Sequence, residues 1–169
     1  MKNARFLLVV FLFAMSGCAG PKIAADLLAN ARVNEKPLTT NSSLVHVAIN
    51  PRINNSEDID DSVKQSLETA LANAKIFGAD SLRPYRIDAD ILIASQAPGG
   101  FGMFVGSLEI RYVVHDSNDK VILDKTIFTE AGSDKWSFFG NVRARRSRAV
   151  NISKNVLQFV DTLQSQLQK

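Results

Sequence analysis

Cysteine is nearly absent from these 169 residues: there is one, Cys18. No intrachain disulfide can form, so the fold must rest on its core in any redox compartment. Histidine is scarce too. His46 and His115 lie on separate strand-like stretches, with no cysteine or carboxylate at ligand spacing around either. Zinc sites need such ligand sets, so no metal is expected. No serine stands in a nucleophile-elbow sequence. The glycines of GGFGMFVG (residues 99–106) precede a strand pattern rather than a helix, unlike a dinucleotide fingerprint. No catalytic residue and no cofactor is expected. The apolar run FLLVVFLFAM (residues 6–15) has ten residues, where a bilayer-spanning helix needs about 20. Charge of one sign is not in excess, with 20 Lys and Arg against 17 Asp and Glu.

What is present begins with that short apolar run. Lys2 and Arg5 precede it and the small residues Ser16 and Gly17 follow, the three-part layout of a secretory signal over residues 1–17. Without Lys2 and Arg5 the remainder carries 18 bases against 17 acids, so a general nucleic-acid binder is not indicated. Met15-Ser16-Gly17-Cys18 resembles the lipobox of bacterial lipoproteins, with Met15 where leucine is most usual. The resemblance implies cleavage before Cys18 and acyl chains on its sulfur and new amino group. Ala19, rather than aspartate, in the next position implies the outer membrane by enterobacterial-type sorting. Two or more chains hold a protein firmly, each buried methylene contributing about 0.8 kcal/mol.

Residues 18–43 read as a lipidated N-terminus and tether. Pro21, Pro37 and TTNSS (residues 39–43) mark irregular chain, with a short helix open between Ile23 and Val33. At no more than about 3.3–3.6 Å per residue this tether would reach tens of ångströms. Residues 44–169 form the expected single domain. LVHVAIN (residues 44–50) alternates Val45, Val47 and Ile49 against His46, Ala48 and Asn50, a half-buried strand. Ser56 and the acids Glu57, Asp58, Asp60 and Asp61 mark a helix start. Ile59, Val63, Leu67, Ala70, Leu71 and Ala74 trace its apolar face, with Gly78 as a stop. Tyr85, Ile87, Ala89, Ile91 and Ile93 share one strand face, against Arg86, Asp88 and Asp90. Leu108, Ile110, Tyr112 and Val114 share another, and DSNDK (residues 116–120) turns the chain into a fourth strand, residues 121–131. On that strand Ile122 and Phe128 compete with Leu123 and Ile127 for the buried face. Ala149, Ile152, Val156, Phe159, Val160, Leu163 and Leu167 mark a long amphipathic helix.

The order β-α-β-β-β-α predicts an α+β fold, a two-layer sandwich with two helices on one face of a four-stranded mixed sheet. With SVKQSLETALANAKIF as its first helix and LEIRYVVHDSNDKVILDKTI as its hairpin, this arrangement resembles small periplasm-facing bacterial lipoproteins. The group includes YajG-like proteins, ABC-transport auxiliary lipoproteins and the lipopolysaccharide-assembly lipoprotein that plugs an outer-membrane barrel. The resemblance implies a scaffold or binding role. It is architectural, without a diagnostic residue motif.

Two stretches stand out. One is the loop at residues 99–106, where Phe101, Met103 and Phe104 occupy a tip that is ordinarily polar. The other is KWSFFGNVRARRSR (residues 135–148), with Trp136, Phe138 and Phe139 followed by Arg143, Arg145, Arg146 and Arg148. Plain readings exist for both: a flap folded onto the core, and a solvated helix start. Cations at a helix N-terminus oppose its dipole, however, at about 0.3–1 kcal/mol each, so an anionic counterpart is expected. An antiparallel meander of strands two to four would bring the two stretches to one pole, while the tether would leave from the opposite one. The expected function is that of a non-enzymatic accessory or assembly subunit of an envelope complex, with an envelope protein partner. The alternative is a lipid or glycolipid carrier that grips an anionic lipid with the aromatic and arginine pole, and a hydrolase stands third.

Overall fold

A computed structural model describes residues 22–55, 57–96, 104–133 and 137–169. Its elements are α1 (Ala25–Leu28), β1 (Asn41–Ile49), α2 (Ile59–Ala74), β2 (Asp80–Gln96), β3 (Val105–His115), β4 (Val121–Gly132) and α3 (Gly140–Leu167). Cys18, Phe101, Met103 and Trp136 lie outside the described residues.

Period-two burial builds the sheet. Ile87, Ala89 and Ile91 of β2 and Leu108, Ile110, Tyr112 and Val114 of β3 all point into the core. β1 pairs with β2 in parallel, Val45 beside Ile87, and α2 supplies the crossover that a parallel pair requires. β2–β3 and β3–β4 are antiparallel, giving the order β1-β2-β3-β4 and the expected mixed sheet. α2 and α3 lay their apolar faces on one side of it, and the whole expected face of α2 is buried. Between them Tyr112 stacks on Phe159, ring centroids 4.1 Å apart. The opposite sheet face is open and charged, with the Arg111 guanidinium gripping Asp124 through two bonds of 2.9 and 2.7 Å.

Three expectations change and one open choice is settled. Ile93 does not share the Ile87–Ile91 face. A register shift lies between Ile91 and Ile93, so Ile93 pairs with Glu109 and is exposed. On β4 the competition is decided for Ile127, which is buried, and Phe128 faces outward. α2 ends at Ala74 with Lys75 left-handed at φ 50°, so Gly78 does not stop it. Instead a Cβ on Gly78 would sit 2.3 Å from the Thr40 carbonyl oxygen, and glycine is needed for that close approach.

The third change concerns the tether. Residues 22–40 are laid along the body. Ala24, Leu28 and Ala31 are buried, Gln164 Nε2 donates to the Arg32 carbonyl, and the Leu38 amide donates to Ile76. The chain therefore crosses the helical layer from end to end before β1 begins, three residues earlier than expected. Lys22 stands at the pole where α2 and α3 begin, bonded to Asp58 at 3.1 Å. The expected separation of tether and aromatic pole is thus overturned, because Ala24 and Leu28 have apolar surface to bury against the helices.

Candidate functional site: the aromatic and arginine pole

The antiparallel meander brings together the end of β2, the start of β3, the end of β4 and the N-termini of both long helices. Phe104 and the start of α3 meet there, as the strand order requires. The Phe104 ring packs under Gly140, and the Arg143 guanidinium carbon lies 5.7 Å from its centroid, within cation–π range. Phe104 itself is only 7% exposed, so this part of the loop folds onto the core. Phe138 and Phe139, just before α3, are 83% and 66% exposed.

α3 starts at Gly140, which places all four arginines inside its first three turns with no acidic residue in the first. Their environments differ. Arg146 is 6% exposed and grips Asp26 through bonds of 2.9 and 2.8 Å. Arg148 pairs with Glu57 and donates to Gln96 Oε1 at 2.8 Å. For these two the anion expected on electrostatic grounds comes from the chain itself. Arg145 is exposed and makes no ion pair among the described residues.

A polar ladder that the sequence analysis did not single out fixes this end of α3 to the sheet. Ser147 Oγ donates to the Phe104 carbonyl at 2.8 Å. Asn151 Nδ2 donates to Gly106 at 2.7 Å, and Asn155 Nδ2 to Ile127 at 2.9 Å. Tyr112 Oη donates in turn to Asn155 Oδ1, and burial pushes the phenol pKa upward. The spacing of four was readable in the sequence: Ser147, Asn151 and Asn155 interrupt the apolar stripe on its own face. Asp26 and Glu57, at 120 and 91 residues from their arginines, carried no local signal.

Beside the ladder a cleft of about 340 Å³ opens between the start of α2 and the β2–β3 ends, with Glu57, Gln96, Arg148 and Asn151 at its polar wall and Ile59 and Leu108 at its apolar one. Asn151 is 3% exposed, and its Oδ1 accepts no hydrogen bond among the described residues. The cleft can hold a small polar group carrying a donor.

Elsewhere the histidines take separate places. His115 lies between Asp88, 3.5 Å from its Nε2, and Asp119, 3.4 Å from its Nδ1, on the open sheet face. His46 is exposed on β1. Among the described residues no three His, Cys, Asp or Glu side chains gather as metal ligands. Nor is any helix among them long and apolar enough to cross a membrane.

No protein-family model and no curated protein sequence matches the chain. Solved structures do resemble it. A hypothetical protein from Chlamydia trachomatis superposes with a TM-score of 0.50 at 12% identity, covering 75% of this chain and 98% of that one. A Xanthomonas campestris protein of the DUF330 family model gives 0.49 at 14% identity, covering 82% and 97%. A minor lipoprotein from Acinetobacter baumannii gives 0.44 at 12% identity, covering 70% and 91%. At these identities the likeness is one of fold.

Proposed function

We propose that this chain is a lipid-anchored outer-membrane lipoprotein of the bacterial envelope, facing the periplasm and acting without catalysis as an accessory or assembly subunit. One observation carries the reading: the basic head, the ten-residue apolar run and the small residues that end at the single cysteine, Cys18. The body agrees with it. Ser147, Asn151 and Asn155 fix α3 to the sheet, and two adjacent phenylalanines stay exposed at one end. Metabolic labelling with a fatty acid tests the anchor, with label expected on the wild type and lost in Cys18→Ala. Label retained on Cys18→Ala would end the lipoprotein reading. Affinity capture of the lipidated protein tests the accessory role, and a stoichiometric envelope protein is the expected result.

The cleft favours a second reading, in which the domain binds or carries a lipid or glycolipid. Asn151 Oδ1 would accept from a hydroxyl or amine of the headgroup at the polar wall of the cleft. A volume of about 340 Å³ suits a headgroup fragment, not several acyl chains. Lipid co-purifying with wild type but not with Asn151→Leu would favour this reading over the first.

A further inference from the structure

We propose that the pole bearing Phe138, Phe139 and Arg145 faces the bilayer that the acyl chains of Cys18 enter, so that the domain lies against the phospholipid surface. The inference rests on the reading of Cys18 as the lipidated residue. It deepens that reading by naming which end of the molecule meets the membrane and through which side chains.

The course of the chain carries the argument. Lys22 is bonded to Asp58 at the first turn of α2, Ala24 is fully buried, and Asp26 holds Arg146 on α3. All three contacts are at the pole where α2 and α3 begin. From Cys18 to Lys22 is four residues, a span of at most about 14 Å. A body anchored through Cys18 cannot stand farther off unless residues 22–31 are stripped from the core. A folded partner has little room in that gap, since a domain of 100 residues has a radius of gyration of about 13 Å. The bilayer is therefore the surface nearest to this pole.

The side chains fit that neighbour. Phe138 and Phe139 are adjacent and exposed at the end nearest the anchor, and clustered exposed apolar surface marks an interaction site. Asp26, Glu57 and Asp58 at this end are each bound to a cation of the chain itself, while Asp60 and Asp61 stand beside them in the first turn of α2. Besides Arg52 in the β1–α2 connection, Arg145 is the exposed arginine at this end without such a pair among the described residues. It opposes the α3 dipole, and an anionic lipid phosphate would answer it. Among the described residues the opposite pole exposes the aliphatic side chains Val33, Leu82 and Val121 but no adjacent aromatic pair, and its β3–β4 turn is Asp116-Ser117-Asn118-Asp119-Lys120.

The test uses the full chain, acylated in cells and reconstituted into vesicles of phosphatidylethanolamine and phosphatidylglycerol. Acylation consumes the Cys18 thiol, so Phe139→Cys and Asn118→Cys each offer one site for an environment-sensitive fluorophore. With a doxyl-labelled phospholipid in the vesicles, the Phe139→Cys label should lose most of its emission and the Asn118→Cys label almost none. Mass spectrometry of the N-terminal peptide and flotation of the vesicles check the anchor separately. Acylated, floating protein whose two labels respond alike would overturn the orientation and leave the lipoprotein reading standing. Protein that neither acylates nor floats would overturn both. A Phe139→Cys label shielded from aqueous iodide yet untouched by the lipid-borne quencher would assign the face to a protein, again against the proposal.

Discussion

Arg145 and Arg146 are neighbours in sequence and opposites in environment. Arg146 is desolvated against Asp26, so Arg146→Glu would place two carboxylates together and leave a buried charge unanswered. Because Asp26 is half-exposed, the expected loss is about 2–3 kcal/mol, below the 3–5 typical of a fully buried pair. Arg145→Glu should change stability by no more than about 0.5 kcal/mol, as exposed substitutions do. Urea melts of the two single variants read the difference, and equal effects would refute the assignment. A second residue-scale case is Asp124, whose pKa is lowered by its hydrogen bond with Arg111 and by the guanidinium charge. A carboxyl lowered on folding contributes stability above its unfolded pKa and loses it as pH falls through the folded one. The effect therefore belongs to the acid side of the ordinary carboxylate range, below about pH 4. Carbon NMR titration should find Asp124 below ordinary values in the wild type and returned to them in Arg111→Ala.

Elements show how much of the molecule was legible before folding. The two helices and four strands were visible because each repeats a local period: three or four for Ile59 to Ala74, two for Leu108 to Val114. What period alone cannot show is a change of phase. The shift between Ile91 and Ile93 depends on pairing with β3, and the choice of Ile127 over Phe128 depends on which face α3 covers. The ion pairs at the start of α3 were hidden for a related reason, although the arginine-rich stretch itself reads as a helix start. The first nine residues of α3 are dominated by arginines whose partners, Asp26 and Glu57, are distant in sequence. Phe104 and the start of α3 were correctly brought to one end, since a meander fixes which strand ends coincide. Gly78 is the element-scale test. Its lack of a Cβ lets the α2–β2 connection pass against Thr40, where backbone rather than a flexible side chain would have to move. Gly78→Ala is expected to cost at least the about 1–3 kcal/mol of an overpacked site, measured as a lower denaturation midpoint. If Gly78 served only as a helix stop, alanine there would be nearly neutral.

At the scale of the whole molecule, the domain does not begin where strand patterning begins. Strand alternation starts at Leu44, yet Ala24, Leu28 and Ala31 are core residues, and residues 22–40 join the C-terminal ends of α2 and α3 to the pole where those helices start. In sequence the segment reads as a tether because Pro21, Pro37 and the polar run at residues 39–43 suggest irregular chain; a single helical turn flanked by irregular chain can still be packed. Burying one leucine is worth about 1.5–3 kcal/mol, and total domain stability is only about 5–15 kcal/mol. A chain starting at Leu44 loses Leu28 and its neighbours, the Asp26 partner of Arg146, and the first three residues of β1. It also uncovers the apolar faces of α2 and α3 where α1 packed. A chain starting at Ala19 loses none of these. Thermal melts followed by circular dichroism should therefore show a cooperative transition for the Ala19 start. The Leu44 start should show a lower, broadened transition or aggregate. Equal melting temperatures would mean that residues 22–43 are a tether after all, free to let the domain stand away from the membrane. The bilayer-facing pole would then lose its strongest support.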